Sequence, residues 1–488
     1  MYVVFLGLLL ALTVDGTQRV NVVLMGATGN LAEKYLWQGL FNIHSVGLAD
    51  DLQDDDTQLF VYPAATKSVK DNSPILDRII QNNITWGNVP GAAASFLART
   101  WEYVQLREPE HYQSLASTIE KNQREDGEQE AGRLVYLSVP PKFFGSISAL
   151  INQHLRPKNP NAWLRVIVEK PFAVDTESAK QLSNDMYQSL SNDEILLVDH
   201  YMGKVGMHSI RHFVHAHSDL FESRKVRKIE AAMLETDDCK GRTGFYDEVG
   251  VVRDTLQNHV TQMVALLGMN AKQSQLDEPT ARKELLESLS HATLDRVVKI
   301  AQYSSYNSHV NEDRRRWNED ELETPSQTLT YAHVVLKVSE KDHPLDNVPI
   351  HLVSGKALAA RQSYVEVEFE NDDVLLFNFQ GKKGHVKDAA VYMKSRKTTL
   401  TSLPGWSESK TSEGTLFSAP ESPFAYELLL RAGLEGQKQH FVRLDEVLQS
   451  WEIWTPLLKQ LEQYPSVESY KPGSHVYLVP ARDLHDEL

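Results

Sequence analysis

From Arg19 to Val168, short apolar runs alternate with stretches of helical spacing. Arg19–Met25 is rich in β-branched residues and reads as a buried strand. Leu59–Ala65, Arg133–Val139 and Leu164–Val168 read the same way. Between them Glu33–Leu40, His111–Asn122 and Phe144–His154 place apolar residues at helical intervals. Alternation of this kind predicts a parallel sheet with helices on both faces.

Ile195–Val198 is one more short apolar run, and beyond it the pattern changes. Val226–Leu234, Leu329–Val338, Ile350–Ser354, Tyr364–Phe369, Val374–Phe379 and Ala389–Met393 read as strands, several of them alternating. Val251–Met269, Glu284–Leu289 and Phe424–Glu435 read as helices set apart from them. Bunched strands with separate helices predict an antiparallel sheet with helices on one face.

Both ends of the chain carry a candidate address. Val3–Val14 is apolar but too short to span a bilayer. It fits either a secretory signal, residues 1–16, cleaved before Thr17, or a buried first element. The last four residues, His485-Asp486-Glu487-Leu488, match a retention signal read by a receptor of the endoplasmic reticulum, and they favour the first reading. A lumenal protein with no membrane span is expected. Its net charge of −16 argues against a nucleic-acid surface, which needs a basic patch. An anionic ligand must then be held by local positive residues. Cys239 is the only cysteine, so no internal disulfide is available, and it is expected to be buried or inert. Asn83-Ile84-Thr85 is a glycosylation sequon.

Three stretches carry candidate chemistry. Gly26-Ala27-Thr28-Gly29-Asn30-Leu31-Ala32 joins the first strand to the first helix. Its GxxGxxA form is a variant of the dinucleotide fingerprint, in which glycines let the backbone approach a pyrophosphate at a helix N-terminus. It predicts an α/β Rossmann-like dinucleotide-binding domain over 17–198, followed by a larger α+β domain with the antiparallel sheet over 199–480. Glu169-Lys170-Pro171-Phe172 follows a strand, so Lys170 is either a surface lysine or a group at the sheet's C-terminal edge, and the Lys170–Pro171 bond is open to the cis form. Asp199-His200-Tyr201-Met202-Gly203-Lys204 follows another strand, where open α/β sheets bind ligands. It reads either as a solvated turn or as a site.

Together these stretches resemble the glucose-6-phosphate dehydrogenase family, along with Gly241–Gly250, Arg253–His259, Ser354–Leu358 and Trp454–Leu458. They stand in family order from about Val20 to Tyr464. Lys34–Leu40, Trp451–Leu458 and the C-terminal tetrapeptide are most similar to its endoplasmic-reticulum branch. That branch usually carries a C-terminal 6-phosphogluconolactonase half, which this sequence does not include. The resemblance implies oxidation of a hexose 6-phosphate at C1 to the 6-phosphogluconolactone with reduction of NADP, the first step of the oxidative pentose phosphate pathway. It also implies a dimer or tetramer, and a homodimer is expected; no metal is expected at the site.

By the same resemblance His259 is the base, although a lone histidine on a buried helix is more often structural. Asp199 orients it. His200, Tyr201 and Lys204 bind the sugar phosphate, Lys356 and Arg361 are further substrate residues, and Glu235 and Asp254 accept hydrogen bonds from sugar hydroxyls. Lys170 lies between substrate and cofactor. Gly26, Ala27, Thr28, Gly29, Asn30, Leu31 and Pro140 bind the cofactor. The chain departs from the family at Ala65, where an arginine usually meets the 2′-phosphate, at Asn30 and at Phe144. Lys67 or Thr28 is a substitute for that arginine, and NADP use with tolerance of NAD is expected. Val374–Tyr392 matches too poorly to place a second, structural nucleotide. An alternative reading is a lumenal binding regulator that has lost turnover, and another is a sugar oxidoreductase of the broader glucose–fructose class.

Overall fold

The computed structural model describes residues 18–49, 57–126, 129–217, 220–221, 225–269, 277–387, 389–395, 405–464 and 466–475. The expected signal at 1–16 and the tetrapeptide at 485–488 lie outside them. Among the described residues no helix is long and apolar enough to cross a membrane. The backbone forms two compact units. The first ends at Val139 and takes in Ser146–Ile167; the second takes Pro140–Gly145 and everything from Val168. The sequence pattern changes later, at residue 199.

The first unit holds β1 (Gln18–Met25), β2 (Thr57–Ala65), β3 (Val104–Gln105), β4 (Gln129–Leu137) and β5 (Trp163–Val168), in the order β3-β2-β1-β4-β5. β1 pairs in parallel with β2 and with β4, as the alternating pattern requires. β4 starts four residues before the expected Arg133. Its first turn is polar, yet Glu130 and Arg133 are buried, and each is paired. Arg133 donates from Nε and Nη2 to the two Glu130 carboxylate oxygens, 2.9 Å each, and Asn21 Nδ2 of β1 donates to Glu130 Oε1 at 2.8 Å. A buried charge survives only when paired and hydrogen-bonded, and here the pairing crosses two strands that sequence alone does not align. Asn83 at the end of the helix Val69–Asn83 and Thr85 are exposed, while Ile84 between them is buried.

The second unit holds β6 (Ile195–Leu197), β7 (Val226–Leu234), β8 (Val297–Tyr303), β9 (Tyr331–Lys337), β10 (Pro349–Gly355), β11 (Gln362–Phe369), β12 (Val374–Lys383), β13 (Val386–Lys387), β14 (Ala390–Lys394), β15 (Ser407–Lys410), β16 (Gly414–Ser418) and β17 (Glu468–Tyr470). Eleven of these strands form one sheet, ordered β15-β16-β14-β12-β11-β7-β10-β9-β8-β17 with β13 on β12. The expected antiparallel sheet is only mostly so: β10 runs parallel to β7, and β17 parallel to β8. Both pairs are joined by long connections that include helices, which is what parallel pairing requires. β15 is exposed along its length and gives no apolar signal to read.

The expected single helix at 251–269 is a longer run with a change of pitch. Thr243–Val251 and Thr261–Gly268 are α-helical, but Val252–Val260 between them is π-helical. Gly250 precedes it at φ 63°, a conformation that favours glycine. Further helices, Val205–Ala216, Glu278–Ser288 and Leu444–Leu461, are tied together by buried charge. Arg282, fully buried, donates to Glu446 Oε2 at 2.8 Å, to Glu278 Oε1 at 2.7 Å and to the Phe441 carbonyl at 2.7 Å. Arg211 donates to Glu278 Oε1 at 2.8 Å. Cys239 is also buried; desolvation pushes its thiol up to about 12, which fits the inert cysteine expected.

Candidate active site

β6 ends at the turn that carries the acid, imidazole, phenol and ammonium groups. Asp199 caps a short helical turn, His200–Gly203, by accepting the Tyr201 N–H at 2.9 Å. The turn packs tightly: a Cβ on Gly203 would lie 2.4 Å from the Ala425 carbonyl oxygen, so only glycine fits. Asp199 is thereby fixed beside His259, and the same oxygen, Oδ1, lies 2.5 Å from His259 Nδ1. Lys170 Nζ lies 2.7 Å from His259 Nε2, on the opposite side of the ring, and the Lys170–Pro171 bond is cis. A carboxylate beside Nδ1 and an ammonium beside Nε2 select one tautomer: Nδ1 carries the proton and donates to Asp199, and Nε2 presents its lone pair.

The pitch of the surrounding helix matters here. Sequence spacing at 3.6 residues per turn sets His259 on a face with residues 252, 256 and 263. A π-helix bonds i to i+5, so Asp254 and His259 come to one side, and both line the same cavity.

Electrostatics follow burial. Burial alone raises Asp199, but the His259 charge, its hydrogen bond and Lys170 outweigh it and hold the carboxyl well below the usual range. Burial lowers His259, Lys170 lowers it further, and Asp199 opposes both; the net result is below the ordinary value. The pair is therefore carboxylate and neutral imidazole near pH 7. Burial likewise pushes His200 well below its ordinary value and Lys204 down to about 8.

A cavity of about 320 Å³ opens beside His259. Lys170, His200, Tyr201, Lys204, Glu235, Asp254, Lys356 and Arg361, the substrate residues expected from the sequence, all line it, as does His259 itself. Asp199 does not; it sits behind the histidine and lines a smaller cavity. At one end Lys356 Nζ is held by Asp254 Oδ2 at 2.8 Å and by Glu235. Burial lowers Lys356, but the two carboxylates prevail and raise it. The Lys356 carbonyl accepts the Tyr470 hydroxyl at 2.6 Å, which anchors the loop. At the other end Lys204 sits 3.6 Å over the Tyr201 ring and 3.4 Å from Gln380 Oε1, and half-exposed Arg361 donates to Asp237 at 3.0 Å. This end gathers two cations with hydroxyl and imidazole donors, the set a phosphate dianion needs. Gln380, Ser363 and Phe245 also line the cavity and escaped the sequence reading. Gln380 arrives only because β12 pairs it with Ser363 of β11, a long-range register. One potential ligand atom from each of Asp199, His200 and His259 lies within 4.8 Å of the other two. Asp199 and His259 already bind each other, and Lys170 holds Nε2, so these ligand atoms are engaged with one another and with Lys170.

The glycine turn lies in the first unit. Gly26 has φ 90°, and a Cβ there would meet the Ser138 oxygen at 2.3 Å. Its N–H and that of Ala27 donate to the Ala64 carbonyl, at 2.8 and 3.1 Å, and Trp37 Nε1 donates to the Ala27 carbonyl at 2.9 Å. Gly29 N–H closes the turn on Gly26, and a helical run starts at Asn30, π-helical from Ala32 to Leu36. Gly29 and Asn30 are exposed, Thr28 and Leu31 partly so. The tight approach and the helix that follows fit a dinucleotide pyrophosphate. Ala65 ends β2 beside Gln105 of β3, and Lys67 follows it, exposed. Pro140 is exposed, in the segment counted with the second unit, and Phe144 is fully buried.

Comparison with known proteins gives one answer along the chain. Residues 23–208 match the family described as "Glucose-6-phosphate dehydrogenase, NAD binding domain", and residues 209–477 match "Glucose-6-phosphate dehydrogenase, C-terminal domain". A "GDH/6PGL endoplasmic bifunctional protein" of Oryctolagus cuniculus is 34% identical over 94% of this chain, and its Homo sapiens counterpart is 33% identical. This chain spans 61% of the length of each. "Glucose-6-phosphate 1-dehydrogenase 6, cytoplasmic" of Arabidopsis thaliana is 31% identical over 94% of this chain and 90% of its own. A solved glucose-6-phosphate dehydrogenase, in complex with its substrate glucose-6-phosphate, shares the fold with a TM-score of 0.74 at 24% identity, covering 95% of this chain and 96% of that one.

Proposed function

This chain belongs to the glucose-6-phosphate dehydrogenase family, and we propose that it oxidises a hexose 6-phosphate at C1, with NADP as the acceptor, to a 6-phosphogluconolactone. The observation that carries the reading is the buried pair Asp199–His259, with Nε2 of the histidine facing a cavity whose far end gathers cations.

Each group then has a role. His259 Nε2 takes the proton of the C1 hydroxyl. Asp199 keeps the ring in the right tautomer and stabilises the imidazolium as it forms. Lys170, on Nε2, yields that position to the sugar hydroxyl. Glu235 and Asp254 accept from other hydroxyls while Lys356 holds them. His200, Tyr201, Lys204 and Arg361 bind the phosphate, and Gln380 joins them. NADP, when bound at the Gly26–Ala32 turn, supplies the hydride acceptor. Ala65 offers no guanidinium to the 2′-phosphate, so we expect NAD to be tolerated, with Lys67 the cation at hand. The intact dyad and the cations gathered at the phosphate end favour turnover over a regulator that only binds. The endoplasmic relatives and the terminal tetrapeptide support a lumenal address, which secretion of a chain lacking 485–488 checks.

NADPH formation from glucose 6-phosphate, galactose 6-phosphate and free glucose tests the activity. Lys204 sharpens that test. A charge-assisted hydrogen bond to phosphate contributes about 1.5–3 kcal/mol, which is roughly 10–150-fold in binding. Lys204→Ala should raise KM by that order for the phosphorylated sugars and leave free glucose nearly unchanged. Because Lys204 loses its proton near pH 8, the native KM should also rise through that pH, and the variant's should not. Equal effects on glucose and its phosphate would remove the phosphate role.

A further inference from the structure

We propose that an ordered water lies behind the catalytic pair, bridging Asp199 Oδ2 and Gln262 Oε1, and that Gln262 is thereby a positioning residue that sets how tightly the pair holds its proton. The inference rests on the reading of His259 as base.

The argument begins with two acceptors. Asp199 Oδ1 takes both bonds described above, from His259 and from the Tyr201 N–H. Its Oδ2 is buried with no hydrogen-bond partner, and so is Gln262 Oε1. The two residues are 2% and 3% exposed. They line one cavity of about 150 Å³, the smaller one, which shares Lys170, Phe245 and Asp254 with the larger. A carboxylate oxygen left bare in such a place costs free energy, and a water needs only about 10–15 Å³ of that volume. Four donors along the same wall are committed elsewhere. Lys170 Nζ is on His259, Arg253 Nε donates to the Val174 carbonyl at 2.9 Å, Asn258 Nδ2 donates to the Arg253 carbonyl at 2.9 Å, and the Ser450 hydroxyl donates to the Gln257 carbonyl. A water brings two protons, one for each acceptor.

The consequence follows from charge. A proton donated to Oδ2 stabilises the carboxylate. Without it the carboxylate is less well solvated, and the dyad binds its proton more tightly. Lys170, His200 and Asp254 also face the dyad, and Lys204 faces His200; all four stay in place when Gln262 is changed. Gln262→Leu should therefore move the acidic limb of kcat/KM upward by about one pH unit. Gln262→Asn, which shortens the reach without removing the amide, should move it the same way by less. A merely structural role would lower thermal stability and leave the limb where it is.

The test is the pH profile of native protein and both variants, with a crystal structure of the native protein at a resolution that shows water. One peak within hydrogen-bond distance of both oxygens, together with the upward shift, supports the proposal. An unmoved limb in folded variants overturns it, as does a peak that behaves as a bound cation, or Gln262 turned to donate its amide directly to Asp199 with no water present. A native protein without turnover contradicts the function proposed above, while the crystal peak still decides on the water.

Discussion

His259→Asn should lower kcat by about 10²–10⁴, the range in which a positioned base contributes, while the dissociation constant for the sugar phosphate changes little. Asparagine is chosen because its amide nitrogen still donates to Asp199 in place of Nδ1, so the 2.5 Å contact and the turn at His200–Gly203 keep their support. What is lost is the lone pair at Nε2, the atom that faces the cavity beside Lys170. The phosphate end, with Lys204 and Arg361, lies on other elements and is untouched. The pH profile gives a second readout. Native kcat/KM should fall on the acid side as His259 gains a proton, at a pH below the ordinary histidine value because burial lowers that group. The variant has no such limb. Stopped-flow or steady-state NADPH absorbance, with binding by calorimetry, separates the two effects. A variant that keeps a tenth of native kcat would mean that another group, Lys170 or Asp254, takes the proton.

Arg282→Ala should destabilise the second unit by about 3–5 kcal/mol, because it strands a buried charge. Glu446 is fully buried and receives its main compensation from Arg282; burial already raises this carboxyl, and Arg282 is what opposes the rise. The same guanidinium holds the Phe441 carbonyl and Glu278, so its loss also opens the joint between the helices Glu278–Ser288 and Leu444–Leu461. Urea or thermal unfolding measures the loss. The double change Arg282→Met with Glu446→Leu removes both charges together and should recover most of the stability, since an apolar pair of similar volume needs no compensation. A double variant as weak as the single one would contradict this account of the joint.

How much of this is legible in the sequence depends on the range of the interaction. β1 and β5 announce themselves as β-branched runs and β2 as an apolar one, and Gly26 sits where strand, turn and helix meet. Asp199, His200 and Lys204 are conspicuous because they cluster within one turn. His259 is different: on its own it passes for a core histidine, and only the neighbouring motif singles it out. The start of β4 is hidden because Glu130 and Arg133 look like surface residues until Asn21 is found across the sheet. The π-helical pitch at Val252–Val260 is invisible to a 3.6-residue template, which therefore aims Asp254 away from His259. Gln380 and Gln262 carry no local signal at all. One gains meaning from strand register and the other from a cavity. Local pattern yields elements and candidate groups; pairing across the chain decides which of them meet.

The central claim is hydride removal from C1 of a hexose 6-phosphate, with His259 as the base. It is tested most directly by incubating the purified protein with NADP and glucose 6-phosphate deuterated at C1. The account predicts NADPH that carries the deuterium on its nicotinamide ring, formed with the phospholactone and more slowly than from the unlabelled sugar when hydride transfer limits the rate. NADPH that carries no deuterium, or no NADPH from glucose 6-phosphate or galactose 6-phosphate, would contradict it.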